Sequence, residues 1–140
     1  MVKSKCKVKK PNTDISIEKR ALGELSIDYP VFCFRYFQKE CLKSCSESQV
    51  KDFFDRLQRL GELGWNTINA GKRHDYGWEM LPVKQIKKTL PPLITPDIPK
   101  LMVFRYNNAN YPFIAHRNGN ILHVLFIEAN FGDVYDHKTK

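Results

Sequence analysis

The chain has no apolar run approaching the ~20 residues that a membrane-spanning helix needs. Nor does an apolar region follow the charged start Met-Val-Lys-Ser-Lys-Cys-Lys, as it would in a secretory leader. The expectation is a soluble, cytoplasmic protein with no membrane partner. Cysteine is sparse, and Cys6, Cys33, Cys41 and Cys45 lack the repeated C-x2-C spacing of a zinc ribbon, so ordinary reduced thiols and no bound metal are expected. No phosphate loop, dinucleotide fingerprint or ordered Ser/His/Asp set is present. Acidic residues are scarce at the start, with none before Asp14.

What is present is a basic chain of one-domain length: 140 residues, 42% hydrophobic, with a formal charge of +8. That apolar content supports a real core and excludes wholesale disorder. Five of the positive charges are Lys3, Lys5, Lys7, Lys9 and Lys10. A like-charge block of this kind reads as a solvated arm, or as an arm that tracks phosphates and adds salt-dependent affinity for nucleic acid. The chain divides into this basic arm with a short following segment, residues 1–28, and an α+β domain over 29–140.

Periodicity supplies the elements. The aromatic-rich stretch 31–37, bounded by Pro30, reads as a strand. Ser46 and Gln49 have the spacing of a capping box, and Val50, Phe53, Phe54, Leu57, Leu60 and Leu63 then mark one helix face. Gly61 and Gly64 are candidate stops, with a second short helix over 65–70. Residues 77–81 read as a short strand ending at Pro82, and the prolines at 91, 92, 96 and 99 make 90–100 an extended loop. Three strands follow, over 101–106, 111–117 and 120–128.

The turns between these strands fix an expected register. A four-residue loop at 107–110 sets Arg105 opposite Pro112, and a two-residue Asn118-Gly119 turn sets His116 opposite Ile121. Alternation then places Met102, Phe104, Tyr106, Phe113, Ala115, Leu122, Val124 and Phe126 on one face, under the helix. The other face carries Arg105, His116 and His123 among apolar neighbours, as an open ligand-binding sheet would.

The order strand, helix, short helix and four strands ending in Asp133-Val134-Tyr135-Asp136-His137-Lys138 resembles the RelE/ParE/HigB superfamily of toxins. The resemblance is carried by residues 53–60, Gly77-Trp78-Glu79, residues 101–105 and residues 121–135, and it spans roughly 30–138. It implies an α+β fold with an antiparallel four- to five-stranded sheet and N-terminal helices on one face. It also implies an endoribonuclease that cuts messenger RNA, in ribonuclease members on the ribosome, by attack of a 2′-hydroxyl on phosphate. No metal or other cofactor is called for. Arg105 would hold the phosphate, and Tyr135 and His137 match the C-terminal proton-transfer groups of the family. The face argument adds His123 and His116. Asp133-Val134 stand where the family has a basic residue before the terminal tyrosine.

Lys72, Arg73, His74, His116, Arg117 and Lys138 are candidates for nucleic-acid contact. The expected partners are RNA or the ribosome and a neutralising antitoxin or other protein. The alternative is a non-catalytic binding module of the same fold, such as a topoisomerase-poisoning toxin or a phage defence or counter-defence protein.

Overall fold

A computed structural model describes residues 27–71 and 76–137. The lysine arm, Lys72, Arg73, His74 and Lys138 lie outside the described residues. The elements are β1 (Val31–Cys33), α1 (Glu47–Ala70), β2 (Trp78–Pro82), β3 (Lys100–Arg105), β4 (Pro112–Asn118) and β5 (Ile121–Ile127), with short 3-10 turns at Lys39–Ser44 and Val83–Gln85. They form an α+β fold with one five-stranded sheet in the order β1-β5-β4-β3-β2. The sheet is mixed, not antiparallel throughout. β1 runs parallel to β5, because the first and last strands become neighbours after the whole chain between them crosses over. The helix follows β1 rather than preceding the sheet.

α1 begins with the expected capping box: Gln49 N–H donates to Ser46 Oγ at 3.0 Å, and Ser46 N–H donates to Gln49 Oε1 at 2.9 Å. The helix breaks at Gly64, whose φ of 83° and ψ of 163° lie in a region open essentially to glycine alone. The break frees the Trp65 amide to donate to the Asp28 carbonyl at 2.7 Å, which ties the chain entering β1 to the helix. β1 is shorter than the aromatic run suggested. Beyond Cys33 the chain turns, with Phe37 N–H bonding the Phe34 carbonyl, and both rings pack at the start of α1 instead of extending the strand.

The β3–β4 hairpin has the expected register, with Arg105 paired to Pro112 and a four-residue loop between Tyr106 and Tyr111. The β4–β5 turn sits one residue later than expected. Asn118 pairs with Ile121, so Gly119 and Asn120 are the central residues. Gly119 alone takes positive φ, at 66°, as the first central position of a II′ turn does. This slip displaces the pairing by two residues, so the faces near the turn survive it.

A bulge then changes them. Ala115 pairs with Val124 and Ile114 with Phe126, leaving Leu125 as the extra residue. Leu125 and Phe126 both turn away from the helix, and Ile127 takes the helix-side place expected of Phe126.

Two cores result. On the helix side Phe53, Leu57, Leu60, Trp65 and Ile68 pack on Met102, Phe104, Tyr106, Phe113, Ala115, Leu122, Val124 and Ile127. Phe104 and Phe113 stack with ring centroids 5.0 Å apart, and Phe53 stands edge-on to Phe113 at 5.3 Å. The far face is not open. Ile94 and Val134 are buried on it, and Val83, Ile86, Leu90, Leu93 and Ile98 pack there too. The proline-rich loop and the C-terminal segment join over that face through an Ile86–Tyr135 bridge and a 2.7 Å bond from Lys87 N–H to the Val134 carbonyl. The apolar residues between the prolines need burial, and the far face is where they find it.

Candidate functional site

β3 ends at Arg105, and the chain leaving β5 returns beside it. Glu128, the first residue past β5, has a fully buried carboxylate around which the following loop is built. Its Oε2 accepts from Val134 N–H at 2.7 Å and Tyr135 N–H at 3.1 Å, while Oε1 accepts from Gly132 N–H at 3.3 Å. Gly132 turns there with φ 97°, and Asp133 Oδ2 accepts from the Ala129 and Asn130 amides, closing the loop. Three backbone donors hold the charge.

That anchor places the C-terminal residues. His137 Nε2 lies 2.7 Å from Glu128 Oε1. An ionised carboxylate only accepts, so the ring presents Nε2–H to it. The His137 ring stacks on Tyr135 at 4.0 Å and meets Phe131 edge-on at 5.1 Å. The Tyr135 hydroxyl is buried outside hydrogen-bonding geometry. Burial pushes its pKa up to about 12, and the Arg105 guanidinium pulls against that rise.

Three of the residues singled out from sequence, Arg105, Tyr135 and His137, are therefore neighbours. Arg105, however, does not present its guanidinium to solvent. The residue is 7% exposed. Its Nη2 donates to Glu79 Oε2 at 2.6 Å and its Nη1 to the Asn110 carbonyl at 3.1 Å, while Nε is buried without a partner among the described residues. The expectation of a free phosphate-holding arginine is corrected on this point. β2 brings Glu79 alongside β3, and the covered far face leaves the arginine a protein carboxylate as counter-ion.

The two remaining histidines lie elsewhere. His116 and His123 are cross-strand partners near the β4–β5 turn, with rings 6.4 Å apart, and Tyr36 packs 6.1 Å from His123. Four residues of β4 separate them from the Arg105 end, roughly 13 Å along the strand. Burial lowers both pKa values, and at His116 the neighbouring His123 adds to the effect. His123 is thus not part of the Arg105 cluster. Arg117 points to the helix side, its guanidinium 3.6 Å from the Trp65 ring centroid and its Nε bonded to the Gly119 carbonyl at 2.7 Å. It caps the core edge as a cation–π partner.

Two features were missed from sequence. Glu128 read as the end of a strand, and its only signal is a lone acid closing an apolar run before a turn-forming stretch. The other is a cleft of about 500 Å³ between α1 and the 107–109 loop, lined by Asp52, Asp55, Arg56 and Arg59 with Tyr76 and Asn107 opposite. Those four helix positions follow i, i+3, i+4 and i+7 spacing, so they share one face beside the core stripe. Among the described residues no group of three or more His, Cys, Asp or Glu side chains is arranged to hold a metal ion, and no helix is long and apolar enough to cross a membrane.

Fold and site together define a small α+β protein with a mixed five-stranded sheet and a C-terminal Glu-His-Tyr cluster beside a buried arginine. No protein-family model, curated protein or solved structure matches the chain.

Proposed function

We propose that the chain is a RelE-like, toxin-like endoribonuclease in which His137, oriented by Glu128, is the proton-transfer group. The observation that carries this is the 2.7 Å Glu128–His137 bond, placed beside Tyr135 and Arg105. A buried carboxylate that fixes an imidazole's tautomer and orientation is what proton transfer at a reacting hydroxyl needs. In the cut, the 2′-oxygen attacks the phosphorus, its proton passes to a base, and the leaving 5′-oxygen takes a proton from an acid. An imidazole can both take and give a proton, so it serves either step.

Arg105 then acts as a positioning residue behind Tyr135. The phosphate charge falls to exposed cations such as Lys87, next to the Ile86 bridge to Tyr135. Cytoplasmic RNA, the ribosome and a neutralising protein remain the partners of this reading.

A second reading, a non-catalytic binding module, is favoured by one observation: the Arg105 guanidinium is already paired with Glu79. Expression from a tight promoter, with growth and RNA integrity followed together, separates the two. The nuclease reading expects growth arrest with RNA cleavage. It also expects His137→Ala to lower cleavage by roughly 10²–10⁴-fold with RNA binding kept. A parent protein that never cuts RNA with ribosomes present leaves the binding module in its place. Deleting residues 1–10 should weaken nucleic-acid binding and flatten its dependence on salt if the lysines meet phosphates.

A further inference from the structure

Phe131 is 51% exposed, yet its ring is held rather than loose. Gly132 turns the chain just after it with φ 97°, and Asp133 Oδ2 accepts from the Ala129 and Asn130 amides just before it. The ring stacks on Tyr111, with centroids 4.5 Å apart and planes at 24°, and Tyr111 in turn stacks on buried Tyr106 at 6.3 Å. The Tyr106 hydroxyl donates to the Glu128 carbonyl at 2.8 Å. Glu128 also holds His137 through its carboxylate, so one residue anchors both the aromatic stack and the imidazole. The Phe131 and His137 rings meet edge-on with centroids 5.1 Å apart.

A scattered apolar residue at a surface needs no explanation, but an exposed ring at the end of a built stack presents a fixed π surface. The ring has no hydrogen-bonding group, so it selects a flat partner and reads no base edge. Exposed Lys87 and Lys88 adjoin the same loop through the Lys87 N–H bond to the Val134 carbonyl. A flat aromatic surface with cations nearby is what single-stranded nucleic acid meets with its bases and phosphates. Bases in a duplex are already stacked on one another and are not offered to a side chain in this way. We infer that Phe131 is the stacking platform for the nucleobase beside the phosphate that is cut, in single-stranded RNA of any sequence. The inference rests on the nuclease reading above for its place in the reaction, and it adds the residue that positions the strand against His137. A base docked on the ring brings its own ribose and phosphate toward the imidazole, which is the orientation that in-line attack by a 2′-hydroxyl requires.

The test is fluorescence anisotropy of the full chain with a labelled hexaadenylate whose 2′-oxygens are methylated, so that 2′-hydroxyl attack cannot cut it. An abasic strand of the same length and charge is the comparison. The parent should bind the base-bearing strand more tightly than the abasic one. Phe131→Ala should weaken the base-bearing strand by roughly five- to hundredfold and leave the abasic strand unchanged. Phe131→Trp should keep the parent's affinity, whereas Phe131→Leu, apolar but without a π face, should lose it. Phe54→Ala removes an equally exposed ring from α1 and should bind like the parent. Phe131 belongs to neither core, so circular dichroism should show its variants folded. Equal binding of the two strands by the parent overturns the platform, as does a Phe131→Ala or Phe131→Leu variant that binds like the parent. A dimer that Phe131→Ala splits in sedimentation makes the ring an interface between copies and overturns it too. Cleavage of unmodified RNA that persists in those events leaves the nuclease reading standing. Binding that depends on Phe131 in a parent that cuts no RNA removes the nuclease and keeps the base-stacking platform.

Discussion

At the scale of single residues, Glu128 and Tyr135 ask for opposite outcomes. Glu128 gives its buried charge to three amides and His137, so Glu128→Gln trades charge-assisted bonds for weaker ones and puts an NH₂ where only acceptors are wanted. It should cost roughly 2–3 kcal/mol of stability, read from urea unfolding. The Tyr135 hydroxyl is buried beside the Arg105 guanidinium, with no well-formed hydrogen bond among the described residues. Tyr135→Phe should therefore be neutral, or stabilising by up to about 1 kcal/mol. If that variant gains stability while losing RNA cleavage, the hydroxyl is kept for chemistry; if cleavage is unchanged, the ring is there for stacking His137. Arg105→Ala is expected to destabilise by roughly 2–3 kcal/mol, since it removes the Arg105 bonds to the Asn110 carbonyl and Glu79 and truncates a buried side chain. Its effect on activity is therefore interpretable only beside a stability measurement.

At the scale of elements, α1 depends on one glycine and one cap. A Cβ at Gly64 would meet the Asp28 carbonyl oxygen at 3.1 Å, in a backbone conformation that side chains rarely adopt. Gly64→Ala should cost about 1–3 kcal/mol, with the denaturation midpoint lowered and its steepness unchanged. Ser46→Ala removes the N-cap acceptor and should cost about 1 kcal/mol. Gln49 does more than cap, because its Nε2 also donates to the Ala129 carbonyl at 2.9 Å and so ties the start of the helix to the Glu128 loop. The bulge at Leu125 is the corresponding device in the sheet. By turning Leu125 and Phe126 together toward the far face, it supplies the apolar surface on which the proline-rich loop and Val134 lie.

At the scale of the whole molecule, acid should loosen the fold through the His116–His123 pair. Both folded pKa values lie below the ordinary value of about 6.5, chiefly through burial. Below that pH the unfolded chain binds more protons than the folded one, so stability rises with pH across this window. The contribution is complete above about pH 6.5 and is lost as pH falls through the depressed folded values. A melting-temperature series from pH 7.5 to 5 should therefore decline, and the His116→Gln, His123→Gln double variant should decline less. Equal slopes would remove the pair from the acid response.

Local physics left a clear mark in the sequence where partners were close along the chain. The Ser46–Gln49 cap, the apolar stripe of α1, the glycine at which the helix breaks and the 107–110 loop each follow from local spacing or backbone conformation, and each was legible. That Tyr135 lies beside Arg105, with His137 stacked on Tyr135, agrees with the chain order, in which the segment after β5 returns to the end of β3. Three matters were decided only by tertiary structure. The bulge at Leu125 follows from long-range pairing and reverses a face without altering composition. The closing of the far face depends on where Ile86, Ile94 and Val134 find burial, which no local pattern specifies. The partner of Arg105 is Glu79, an acid 26 positions away that only the pairing of β2 with β3 brings within reach. Short-range spacing determines elements, caps and turns; burial and counter-ions are settled by neighbours remote in sequence, because the cost of an unpaired buried charge is met by whichever group the fold delivers.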